Sequence, residues 1–124
     1  MPFSTFLGNH IIDHLFRNQA YSPPSTIYVS LHTADPGLTG ANEVSGGSYA
    51  RQSFTFDAAS SKASQNAAAI SFTAMPAVTV THVGVWDAST NGNFLIGGAL
   101  TAQKTTNAGD TFQFPDSDLD LAIT

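Results

Sequence analysis

The ten residues Val78-Thr-Val-Thr-His-Val-Gly-Val-Trp-Asp87 leave this chain few folds to choose from. β-Branched and aromatic side chains fill the stretch and no helix-favouring run interrupts it, so it reads as a strand. Its alternation changes phase halfway. Val78 and Val80 share a face with His82, Gly84 and Trp86, whereas Val83 and Val85 point to the opposite one. A slip of one residue carries every side chain across the sheet, so a strand that changes phase contains a bulge. The sequence places that bulge at His82–Gly84, where glycine tolerates unusual backbone angles. Gly84–Trp86 is apolar on both faces, as a central strand is, and predicts the spine of an all-β core.

Other segments fit around that spine. Residues 3–17 read as the single helix: Ser4 or Thr5 caps it, and Phe3, Leu7, Ile11 and Leu15 recur at roughly helical spacing, joined by Phe6, Ile12 and Phe16. So short a helix is marginal alone in water and must dock on its own body or on a neighbour. Pro23-Pro24 then enforces an extended turn. Strands are predicted at 26–33, 51–57, 66–73, 78–87, 94–100, 111–114 and 118–123, with a short segment near 104–106 and a loop at 58–65. Asn91-Gly92 signals a tight hairpin. The expected fold is all-β: an antiparallel, jelly-roll-like β-sandwich of seven to eight strands, residues 21–124, preceded by the helix, residues 1–20. Residues 34–49, with four glycines and a proline, form a long loop of the kind that is often functional or mobile.

Composition narrows the function. Charged residues make up 10 % of the 124, against ~25 % in an average soluble domain. Four scattered cations (Arg17, Arg51, Lys62, Lys104) face nine carboxylates, so no basic face exists to neutralise phosphates and nucleic acid is not an expected partner. With no cysteine there is neither a disulfide nor a thiol nucleophile. No signal-peptide pattern and no apolar run of ~18 residues is present, so no membrane partner is expected and folding in a host cytoplasm is.

Candidate chemistry is thin. His10 and His14 lie at i, i+4 around Asp13, loosely resembling the H-x-x-E-H of inverted zinc peptidases, but the acid is one methylene short and no third ligand follows. The other reading makes them edges of an amphipathic helix. Asp116, Asp118 and Asp120 have the spacing of a calcium loop's start but lack its glycine and glutamate; on a strand they form a solvated face. No nucleophile elbow or phosphate loop occurs. Trp86, Tyr28 and Tyr49 suit stacking on a sugar, although a tryptophan in an apolar strand also reads as core. No metal site, catalytic set or cofactor is expected.

Several runs, in order, carry a resemblance: Tyr21-Ser-Pro-Pro-Ser-Thr-Ile-Tyr-Val-Ser-Leu-His-Thr33, then Asp35-Pro-Gly37, Glu43-Val-Ser-Gly-Gly-Ser-Tyr-Ala-Arg-Gln52, Val80-Thr-His-Val-Gly-Val-Trp-Asp87 and Asn107-Ala-Gly-Asp-Thr-Phe112. Together they resemble a family of small bacteriophage virion proteins of the tail-fibre or minor-tail kind; the acidic stretch 116–120 departs from the pattern. The resemblance implies a structural, non-enzymatic role in the virion with other phage proteins as partners, and carries no catalytic residue. A body of this size has a radius of gyration of only ~13–15 Å, so it is expected as a multi-copy accessory piece and homo-oligomer, on the capsid as decoration (cement) or on the tail. Expected subunit-interface residues are Phe3, Phe6, Leu7, Ile11 and Leu15 of the helix, with Asp35, Glu43, Tyr49 and Arg51. Arg51, beside Tyr49, is expected to pair with a carboxylate, within the fold or across subunits. The alternative is a carbohydrate- or receptor-binding module at a host-recognition tip.

Overall fold

A computed structural model describes residues 2–123. Helix α1 (Thr5–Phe16) leads into eight strands: β1 (Ile27–His32), β2 (Gln52–Phe54), β3 (Ala63–Gln65), β4 (Ile70–Phe72), β5 (Val78–Trp86), β6 (Phe94–Thr106), β7 (Phe112–Phe114) and β8 (Asp120–Ala122). One sheet has the order β2-β1-β5-β6, and two antiparallel ribbons, β3-β8 and β4-β7, complete a sandwich-like all-β body with no barrel closure. β5 is a central strand of the sheet, as its sequence requires.

The phase change in β5 is real but sits earlier than expected. Val80 pairs with Lys104 and His82 with Ala99, so two steps along β5 are matched against five along β6. The irregularity therefore lies at Val80–His82 rather than His82–Gly84, and it lets Val80 and Val83 both enter the core. Gly84 has a different duty. A Cβ there would lie 2.7 Å from Phe94, 2.8 Å from the Ser30 hydroxyl and 2.9 Å from His32, so any side chain would collide with what covers that face. A second shift, Val85↔Ile96 followed by Trp86↔Phe94, leaves Leu95 as an extra residue. Leu95 and Ile96 thus join the main core while Phe94 turns to the opposite face.

The main core fills the space between the four-stranded sheet and the β4-β7 ribbon. Val29, Leu31, Val83, Val85 and Ile96 come from the sheet, and Ile70, Phe72, Phe112 and Phe114 from the ribbon. The rings of Phe72, Phe112 and Phe114 meet edge to face, the arrangement their quadrupoles favour. Helix α1 begins where Ser4 accepts from Leu7 N through Oγ, satisfying one orphan donor. Ser4 N donates to Leu95 O at 2.8 Å, and Phe3 bridges Ile96, which seats the helix on β6.

Two expected boundaries move. Residues 58–65 are not wholly loop, because Ala63–Gln65 pairs with Asp120–Ala122. The turn around Asn91-Gly92, both at positive φ, is wider than Ser89–Gly92: the connection runs from Asp87 to Asn93, whose backbone and side-chain N–H groups donate to the two Asp87 carboxylate oxygens.

Buried Asn66 pins the far end of the body. Its Oδ1 accepts from Asp118 N and Leu119 N, and its Nδ2 donates to Ala68 O and Pro115 O. No other side chain at this site completes four backbone groups, so Asn66→Ala is expected to lower stability by about 3 kcal/mol. Urea unfolding checks this, and a loss under about 1 kcal/mol would contradict it.

Candidate functional site

Residues 34–49 fold back over the outer face of the sheet as a lid. Asp35 starts it by accepting from Gly37 N at 2.8 Å, and Pro36 is buried. Gly40, at φ +80°, lies against the Trp86 ring so closely that a Cβ could not fit. Thr33 N donates to Asn42 O and Val44 N to Leu31 O, stitching the lid to β1 where β2 no longer reaches.

Beneath the lid is a closed polar chain. Trp86 Nε1 donates to Ser30 Oγ at 2.9 Å, and Ser30 Oγ lies 2.7 Å from His32 Nε2. His32 Nδ1 lies 2.8 Å from Ala41 O, a carbonyl that can only accept. The proton of the imidazole therefore sits on Nδ1, and the serine donates to Nε2. Both Ser30 and His32 are fully buried. The serine–histidine pair works as a rivet between sheet and lid. Burial pushes His32 below its ordinary value, against the opposing pull of the Ala41 carbonyl and Glu43.

Arg51 closes the lid's other side. Its Nη2 and Nε donate to the Glu43 carboxylate at 2.8 and 3.0 Å, forming a two-pronged ion pair. Nη1 donates to Ala88 O and Asn91 O, holding the β5–β6 connection. The guanidinium also lies 3.7 Å above the Trp86 ring. Tyr49 donates to Glu43 Oε2 at 2.7 Å and accepts from Leu31 N at 3.0 Å. Burial works to raise the Glu43 carboxyl, but hydrogen bonds from Arg51 and Tyr49 outweigh it and hold the group below its usual range. Burial and the neighbouring carboxylate push the Tyr49 phenol upward.

The candidate residues thus separate into two groups. Glu43, Tyr49 and Arg51 come together and satisfy one another within the chain, with Asp35 at the lid's start. On the helix, Phe3, Phe6 and Leu7 pack against the main core, and Ile11 is half-buried. Leu15 is 65 % exposed, and it has company the sequence reading left off the site: Ile12 at 55 % and Phe16 at 80 %. The apolar surface is wide for so short a helix, so periodicity alone could not divide its inner stripe from its outer one. His10 stacks on Tyr21 with ring centroids 4.7 Å apart, and His14 bonds Gln19 O. Among the described residues no group of three metal-ligating side chains is gathered, and no helix is long and apolar enough to cross a membrane.

A family model described as podophage GP4 fiber I protein gp80 matches residues 2–122, nearly the whole chain. No curated protein matches the sequence.

The buried imidazole and the held carboxylate give the lid a pH dependence of fixed sign. The unfolded chain takes up a proton on His32 near pH 6.5, which the folded chain resists. Stability is therefore full above that value and falls as pH drops below it, by up to about 1.4 kcal/mol per unit. Glu43 adds a second loss below pH 4.5, where the unfolded chain takes up a proton that the folded carboxylate, held by Arg51 and Tyr49, still refuses. Urea midpoints measured from pH 7.5 to 5 should show this first slope, and His32→Asn should flatten it. An unchanged slope in the variant would place the titrating group elsewhere.

Proposed function

The chain belongs to the podophage GP4 fiber I protein gp80 family, so it is a fibre-related structural protein of a phage virion, and from that premise we propose that it is a non-enzymatic, multi-copy accessory subunit associated with the tail fibre. The family's fibre description favours the tail over a cement role on the capsid. Residues 1–20 serve as the attachment element, and residues 21–124 form the body that presents it. The observation that carries this reading is the outer stripe of α1, where Ile12, Leu15 and Phe16 stand in solvent on one helix face. A capped, salt-bridged helix end has no folding reason to display a phenylalanine at 80 % exposure, whereas a subunit contact gives it one. The lid cluster supports a structural role too, since its polar groups are spent on holding the chain together.

Because the stripe contributes little to folding, Ile12→Ser/Leu15→Ser/Phe16→Ser should change stability by no more than about 0.5 kcal/mol per site and abolish incorporation into particles. Quantifying the subunit in virions that carry the variant in place of the native gene checks this. Incorporation at the native level would sink the attachment role of the helix.

A second reading, receptor binding at the fibre tip, draws on one cleft of about 550 Å³ that is lined by Tyr21, Tyr28, Asp87, Asn93 and hydroxyls of the Pro-Pro segment. Trp86 is buried and Tyr49 is engaged by Glu43 and Leu31, which leaves Tyr28 of the three aromatic candidates. Under this reading the chain binds host glycans on an array and Tyr28→Ala loses the signal; an array without hits would remove it.

A further inference from the structure

The tip of the lid, residues 35–42, is bonded mainly to itself. Gly40 N and Ala41 N donate to Pro36 O, Gly37 N to Asp35 Oδ1 and Asn42 Nδ2 to Asp35 O. It is therefore one self-contained turn. At its base Thr33 N and Thr33 Oγ1 donate to Asn42 O. Just beyond, Val44 N donates to Leu31 O, and both of those side chains are fixed in the main core. Past that base, the one hydrogen bond from tip to sheet among the described residues is His32 Nδ1 to Ala41 O. Apolar contact adds little. Pro36 is the single buried side chain of the tip, Gly40 is half-buried against Trp86, and Leu38 stands 52 % exposed. Segments with so few buried contacts open locally at low cost.

The bonds beneath the tip run in one sense. Trp86 Nε1–H donates to Ser30 Oγ, the serine O–H to His32 Nε2, and His32 Nδ1–H to the Ala41 carbonyl, where the run ends. A proton added at Nε2 turns that acceptor into a donor. The serine oxygen then faces two N–H groups, its own hydrogen has lost its acceptor, and a cation occupies a site closed to water. The surrounding charges do not rescue it. The strand register sets Glu43 on one side of His32 and His82 on the other, while β6 offers the uncharged Phe94 ring. Burial opposes the imidazolium most. Arg51 and His82 add to that, and the pull of Ala41 O and Glu43 does not offset it.

We propose that residues 35–42 form a hinged cap latched by the His32 imidazole, and that a proton on Nε2 releases the cap from the sheet while the main core stays folded. Once open, His32 is free to titrate near its ordinary value of 6.5, so opening develops as pH falls below that. It bares the Trp86 indole beside Tyr28, its cross-strand neighbour. An aromatic surface hidden at neutral pH is thereby shown in acid.

Trp86 is the one tryptophan of the chain and reports on the cap directly. In the full-length protein, acrylamide quenching of its fluorescence should rise by about twofold or more between pH 7.5 and 5, reversibly, with far-UV circular dichroism unchanged. Staying above pH 4.5 leaves Glu43 ionised. His32→Asn keeps a donor for Ala41 O and takes up no proton, so its quenching should not depend on pH. His82→Asn should keep the transition. In the native protein, NMR titration of the His32 imidazole should share the quenching midpoint, which requires no variant. Quenching that stays constant over the range would overturn the proposal. So would a loss of circular dichroism in step with it, which means unfolding of the whole body, or a transition that follows His82 instead.

Discussion

A single guanidinium decides how the outer face of the sheet is closed. Arg51 grips Glu43 from the lid, two carbonyls from the β5–β6 connection and the π face of Trp86. These parts are far apart in sequence, yet they converge because β1, β2 and β5 are neighbours in one sheet. A lysine would provide the charge but neither the planar fork nor the stacking surface. The arrangement is also costly to leave half-made. Its carboxylate is largely withdrawn from water, so losing the arginine would strand a buried charge rather than merely delete a contact.

The sheet consequently has two cores of different character. The inner one is apolar and aromatic, built of interchangeable volume. The outer one is thin and polar, with Ser30, His32 and Trp86 in fixed hydrogen-bond roles under Pro36 and Gly40. No buried side-chain nitrogen or oxygen among the described residues lacks a partner, and such complete networks specify one arrangement over its near neighbours. The long loop 34–49, of a kind often functional or mobile, is tied to the sheet by these bonds.

Much of this architecture was legible because β-periodicity survives in the sequence. The strand 78–86, its phase change, the helix and its serine cap were all readable, and so was the need of Arg51 for a carboxylate. Which carboxylate was not. Glu43 meets Arg51 because the lid folds back on β1, a tertiary event that spacing does not encode. Strand β3 escaped because Ala63-Ser-Gln65 has no side chains that favour a sheet; it forms since residues 120–122 arrive beside it. Gly97-Gly98 reads in the sequence as a bend or a close approach, and the second holds at Gly97, where a Cβ would run into Phe94 and Pro36; strand β6 continues past it to Thr106. On the helix the same signal served two purposes, and only burial separates Phe6 from Phe16.

Strand β6 has a further consequence, for how the body resists unwanted strand pairing. It lies at the margin of the sheet, and its 13 residues are the longest strand here. A long bare margin is a self-templating surface, on which another molecule's backbone can add itself indiscriminately. The first half of that margin is guarded by the Phe3 bridge and the Ser4 bond. The second half is broken out of register with β5 and carries Lys104, whose ammonium lies over the Phe112 ring. The irregularity that lets β5 change faces therefore also spoils a flat edge. It leaves little straight, bare backbone on which a stray strand could add itself.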